Sequence, residues 1–124
     1  MKSRIYTRDG DFTSARASLA LYLKAKKGKK EKEVEELEAD IDEGEKMKEK
    51  AEKERSAELW NACVESSSKA LRVASHSTLI RTWRAECALA AGDVESAVGD
   101  LTYVVRRILL LFNTLAENFF SFVF

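Results

Sequence analysis

Proline is absent from this chain, and glycine occurs only five times in 124 residues. Average usage of about 5% would give roughly six prolines. A chain so poor in backbone breakers is read as all-helical, and collagen-like and proline-rich linker classes are excluded. There are two cysteines, Cys63 and Cys87, too few for a disulfide framework. The single histidine, His76, stands in the serine-rich stretch Ser75-His76-Ser77 and is read as a turn residue. A zinc site would need Cys63, Cys87 and a carboxylate to converge, so no metal and no cofactor is expected. Ser66, Ser67 and Ser68 have no general base nearby in sequence, and the glycines form no phosphate-cradling loop, so no catalytic residue is assigned and no enzyme is expected. Excess charge of either sign is also lacking: 21 basic residues meet 21 acidic ones. A neutral chain has no global pull toward phosphate backbones. The run from Lys24 to Lys30 is followed at once by acidic residues from Glu31, which cancel its field, so no nucleic-acid partner is expected. The first ten residues hold no apolar run, so no secretory signal is read there. On that reading the chain is cytoplasmic if made as written, or a piece that has lost its address.

Four segments differ in character. After Gly10-Asp11, the apolar residues Phe12, Ala15, Leu19, Tyr22 and Leu23 recur at helical spacing, with Asp11 as helix N-cap. From Lys24 to Arg55, 23 of 32 residues are charged, and only Val34, Leu37, Ile41, Met47 and Ala51 mark an apolar stripe. This reads as a long solvated helix with too few heptads for a coiled coil. From Ser56 to Arg107, three apolar stripes are separated by Ser75-His76-Ser77 and Gly92-Asp93, the pattern of helical hairpins. Helices are predicted at about 12–27, 31–57, 58–74, 78–91 and 93–108. Of the seventeen residues from Ile108 to Phe124, twelve are apolar and five are phenylalanine. That tail looks neither clearly amphipathic nor membrane-spanning. Spanning needs about 20 predominantly apolar residues. Asn113, Thr114, Glu117 and Asn118 interrupt this stretch, so a membrane partner is not expected. The tail is expected to pack loosely on helix 93–107 or to self-associate, and its removal from 109 onward to raise solubility.

An internal repeat organises these segments. Gly10-Asp-Phe-Thr-Ser-Ala15 recurs as Gly92-Asp-Val-Glu-Ser-Ala97, and Cys63 takes the equivalent place 34 residues before Ala97. That separation is the tetratricopeptide period. Phe12, Trp60 and Val94 then open second helices. Ala51 and Ala85 are the small residues of first helices, with Ser3 and Tyr6 fitting the same pattern before Gly10. Ala15 and Cys63 are 48 residues apart, so 14 extra residues, the charged stretch, sit between the first and second repeats as a lengthened connecting helix. The expected fold is therefore all-α, an α-solenoid fragment of tetratricopeptide-type helical hairpins. Its parts are a partial first repeat at 1–29, a charged helical connection at 30–43, a second repeat at 44–77, a third at 78–107 and the tail at 108–124. The repeat-packing residues are Phe12, Ala15, Leu19, Trp60, Cys63, Ala85, Val94, Ala97 and Leu101. Small residues let helices approach closely, and the larger ones fill the grooves between stacked hairpins. Cys63 and Cys87 lie on facing stripes of adjacent helices and read as small core residues, with a disulfide as the alternative in an oxidising lumen.

The stretch Arg84-Ala-Glu-Cys-Ala-Leu-Ala-Ala-Gly-Asp-Val-Glu-Ser-Ala-Val-Gly-Asp-Leu-Thr102 resembles the repeats of the endoplasmic-reticulum DnaJ-type co-chaperones, the cellular inhibitor of the RNA-dependent protein kinase among them. Glu43-Gly-Glu-Lys46 adds to this, and Leu59-Trp60 with Lys69-Ala-Leu-Arg-Val-Ala-Ser-His-Ser77 points to fungal members. The resemblance implies a repeat array that binds unfolded or extended polypeptide, in the endoplasmic-reticulum lumen. It implies engagement of the Hsp70 system only through a J domain, whose His-Pro-Asp motif this proline-free chain lacks. After Thr102 the sequence leaves that pattern, and residues from about Tyr103 are expected to derive from beyond a splice junction or from a truncated gene. Within the repeats, Leu79, Thr82, Glu86 and Leu89 are the expected peptide-facing residues. Lys48 followed by Glu52, and Thr82 followed by Glu86, argue against a clamp for the acidic tails of Hsp70 or Hsp90. Two other readings compete: a structural coiled-coil-like interaction helix, and a membrane-tethered repeat adaptor.

Overall fold

The computed structural model describes residues 2–26 and 31–123. Lys27, Gly28, Lys29 and Lys30 of the basic run, the end of the predicted helix 12–27 and Phe124 lie outside them. The described chain forms α1 (Lys2–Asp9), α2 (Phe12–Ala25), α3 (Lys32–Ser56), α4 (Trp60–Val73), α5 (Thr78–Ala90) and α6 (Val94–Val123). It is all-α and built of helical repeats. Each helix packs on the next in sequence, and α3 also touches α1 and α5, so the first helices of the three hairpins line up side by side.

The three hairpin turns are one structure written three times. Gly10, Glu58 and Gly92 all have positive φ, at 79°, 59° and 88°. Their amides donate to the carbonyls of Thr7, Arg55 and Leu89. The amides of the following residues, Asp11, Leu59 and Asp93, reach back to the carbonyls of Tyr6, Glu54 and Ala88. These paired bonds are the Schellman ending of a helix, which places its last residue in the left-handed region. The positions are related by the same 48- and 34-residue offsets as Ala15, Cys63 and Ala97. Backbone geometry therefore carries the register independently of side-chain identity.

Packing follows the register. Ala15, Cys63 and Ala97 are fully buried, as are Ala51 and Ser3, with Ala85 at 1%. Ser3 stands where α3 and α5 have alanine, and its Oγ donates to the Ala15 carbonyl at 2.9 Å. The small side chain and its hydrogen bond let α1 and α2 close together without an unpaired buried polar atom. Phe12 and Leu19 join Val34, Leu37, Ile41, Leu71, Ile80 and Trp83 in the main core. Ala85, Ala88 and Ala97 form a smaller one between α5 and α6. The extra length of α3 is its N-terminal half, whose stripe Val34, Leu37 and Ile41 is buried. Its charges are paired outward: Arg16 meets Asp42 and Glu45, and Arg4 meets Glu33.

Two expectations need correction. Val94 and Leu101 are exposed, because among the described residues α6 packs chiefly on α5 and no helix covers its opposite side. Trp60 is half-buried. The tail does not pack back on helix 93–107. It is the second half of one 30-residue helix. Folding back would need a turn, and after Gly99 the sequence offers neither glycine nor proline to make one.

Candidate peptide-binding face

Residues 34 apart on α3 and α5 fall side by side on the line of first helices. The pairs are Glu45 with Leu79, Lys48 with Thr82, Glu52 with Glu86, and Arg55 with Leu89. Leu79, Thr82, Glu86 and Leu89 are all exposed, the two leucines at 49% and 48%. Their spacing of three, four and three residues puts them along one face of α5. The structure thus brings the four proposed contact residues together as a strip with apolar ends and a polar middle. Thr82 Oγ1 is satisfied locally, donating to the Thr78 carbonyl at 2.8 Å.

Three of these four α3 residues, Glu45, Lys48 and Arg55, are committed to the protein itself. Lys48 Nζ donates to the Gly10 carbonyl at 3.2 Å and lies 5.8 Å from the Phe12 ring centre. It braces the first turn instead of standing free for a ligand carboxylate. Arg55 donates to Glu86 Oε2 at 3.1 Å, and its guanidinium lies 5.3 Å from the Trp83 ring centre. This bridge was not foreseen from sequence, although the one-repeat offset between Arg55 and Leu89 places Arg55 beside the last turn of α5. It ties the two neighbouring first helices at the face where a peptide would lie. From its sequence position alone, Glu86 is a free repulsive charge. Its pairing with Arg55 reduces that repulsion, and it leaves both Arg55 and Lys48 engaged within the protein.

Behind the face, the repeat junction is held by two buried devices. Cys63 of α4 and Cys87 of α5 form a disulfide across the helix contact, with Cα atoms 6.1 Å apart. Both are fully buried, so they are core residues and bonded as well. Their bonding removes both from any zinc arrangement, and among the described residues no other cluster of histidine, cysteine or acidic side chains is placed to hold a metal ion. The second device is Asp100, 3% exposed, which takes a bidentate pair of bonds from Arg84 at 2.7 and 2.6 Å. Arg81 reaches the same carboxylate at 3.4 Å and stacks 4.0 Å from the Tyr103 ring centre. A buried carboxylate is tolerable only when its lone pairs are answered in this way. The sequence signal for it is Asp100 on the otherwise buried side of α6, one turn from Ala97.

His76, placed in a turn by its sequence, is exposed there, and its backbone amide donates to the Arg8 carbonyl at 2.9 Å, tying the α4–α5 turn to the end of α1. No described helix is long and apolar enough to cross a membrane.

No protein-family model matches the chain, and no solved structure matches it significantly. The chain is similar to the tetratricopeptide repeat and J domain-containing co-chaperone DNJ1 of Cryptococcus neoformans var. grubii, at 34% identity over 101 residues. The match takes in 82% of this chain and spans 19% of the relative's length.

Proposed function

We propose that this chain is a polypeptide-binding repeat module of an Hsp70 co-chaperone, holding unfolded or extended clients along the α3–α5 face in the endoplasmic-reticulum lumen. The observation that carries the reading is the strip Leu79, Thr82, Glu86 and Leu89, exposed on a first helix beside the matching strip of α3. Apolar contacts at both ends with a polar middle suit an extended segment whose backbone needs hydrogen-bond partners along its length. The likeness to a co-chaperone with tetratricopeptide repeats supports the same class of role. Contact with Hsp70 itself would fall to a J domain, which that relative's name includes. The buried Cys63–Cys87 bond supports an oxidising compartment, because cytosolic thiols are kept reduced.

The test is fluorescence anisotropy with a labelled, reduced and carboxymethylated model protein, compared with its native form. Binding is expected to the unfolded form alone. Leu79→Glu with Leu89→Glu is expected to weaken it roughly tenfold or more, as loss of two anchor side chains does. Both positions are surface, so the double variant keeps its helicity. Equal binding of native and unfolded forms, or indifference to the double variant, would overturn the reading. Tight binding of an acidic chaperone tail peptide would contradict the absence of a carboxylate clamp.

A further inference from the structure

The longest helix has an apolar seam that nothing in the described chain covers. Along α6 the residues Val98, Val105, Phe112 and Phe119 recur every seven positions. So do Val94, Leu101, Ile108, Leu115 and Phe122, offset to give an unbroken alternation of four and three residues. This is the a/d pattern of a coiled coil, sustained over four heptads. Every one of the nine is between 39% and 90% exposed. Viewed as seventeen residues, the tail looks irregular. Viewed with the first half of α6, it completes a seam.

We propose that α6 is a homotypic coiled-coil interface, and that two copies of this chain pair along it. Several observations favour a second copy as the occupant. A period of 3.5 residues selects a helix as partner, since only a supercoiled helix keeps such a stripe in register. The partner must be long: α1, α2, α4 and α5 have 8, 14, 14 and 13 residues against 30 in α6. The other long helix, α3, already buries its apolar stripe. Charge is also kept off the seam from Ala97 onward. The flanking positions are Thr102, Leu109 and Ala116 on one side and Val104, Leu111 and Asn118 on the other, while Asp100, Arg106, Arg107 and Glu117 point elsewhere on the helix. A second copy therefore meets no like charge. Valine at two a positions with leucine at two of the d positions suits two strands. The packing of α5 leaves most of the seam open, because α5 meets α6 on the side of Ala97 and Asp100, and where Ile108 borders the start of α5 it stays 57% exposed.

Light scattering on the full chain across micromolar concentrations is expected to give twice the single-chain mass of 14.0 kDa. Phe112→Glu, on the seam, is expected to weaken association roughly tenfold or more. Leu110→Glu, equally exposed but on the opposite side, is expected to leave it unchanged. In a parallel pair Ile108 meets its own copy and in an antiparallel pair it meets Val105, so Ile108→Cys, alone or together with Val105→Cys, is expected to give a covalent dimer on oxidation, and Leu110→Cys is not. A monomer at all concentrations would overturn the proposal. So would association lost equally in both glutamate variants, which marks non-specific apolar contact, or a dimer indifferent to Phe112→Glu. Monomers that partition onto phosphatidylcholine vesicles would overturn it in favour of lipid. Circular dichroism of each variant separates loss of pairing from loss of fold.

Discussion

Glu58 holds the left-handed position that Gly10 and Gly92 hold in the sister turns. A glutamate there carries a Cβ clash that glycine avoids, of roughly 1–2 kcal/mol. Glu58→Gly is expected to raise stability by about 1 kcal/mol, less than the full clash because glycine also gains freedom in the unfolded chain; urea unfolding measures it. Next to it, Leu59 takes the N-cap place where Asp11 and Asp93 accept the amides of Ser14 and Ser96. Leu59→Asp is expected to add about 1 kcal/mol. Those two aspartates also set a pH dependence. Hydrogen bonds from Ser14 and Ser96 hold their carboxyls below the ordinary aspartate range. A lowered folded value means stability that is present above the unfolded value, near pH 4, and lost as pH falls through the folded one. The urea midpoint should therefore drop from pH 5 to pH 3 by less in an Asp11→Asn, Asp93→Asn variant. Gly44 gives the opposite lesson about glycine. It is buried within α3, and a Cβ there would come within 2.7 Å of the Phe12 ring and 3.1 Å of Val73. Gly44→Ala should lose about 1–3 kcal/mol to overpacking, more than the roughly 1 kcal/mol of helix propensity it gains.

At the scale of elements, the helix starts after Asp11, Ser77 and Asp93 were legible, because each is a short polar residue ahead of an apolar stripe. The turn at Glu58 carries no such residue, and only its register against Gly10 and Gly92 reveals it. The facing of Cys63 and Cys87 was readable from stripe periodicity. Their bond was not, since bonding depends on the approach of the two Cα–Cβ vectors and periodicity gives only the face. The bond closes a loop with a sequence separation of 24. Chain entropy puts its removal at about 3 kcal/mol. A Cys63→Ala, Cys87→Ala variant should show that loss by urea unfolding, and a reductant should then have no further effect on it. Where α5 and α6 cross, Ala97 lies against Ala85 and Ala88. Ala97→Leu should cost roughly 1–3 kcal/mol, and an unchanged melting curve would contradict the close crossing.

On the scale of the whole molecule, the end of α6 leaves the body beyond Leu111, which still borders the α4–α5 turn across a groove lined by His76, Leu79 and Ile108. Among the described residues none beyond Asp100 is buried, and the Asp100 pairs with Arg81 and Arg84 hold α6 to the core. The period of the tail was missed from sequence, although self-association was one of its expected outcomes, because a seventeen-residue window holds barely two heptads, while polar Asn113, Thr114 and Glu117 break up its apolar run on the far side of the helix. Only its continuity with Val94–Val105 makes the period visible. If pairing stabilises the folded chain, its melting midpoint must rise with protein concentration, since the dimer is favoured by mass action. A chain ending at residue 108 keeps every buried side chain among the described residues and loses the distal half of the seam. Its midpoint should be nearly independent of concentration and should equal that of the full chain at high dilution, with higher solubility. Should the shortened chain instead melt well below the diluted full chain, residues 109–123 would be stabilising the body directly, and the separation of body from seam would be wrong.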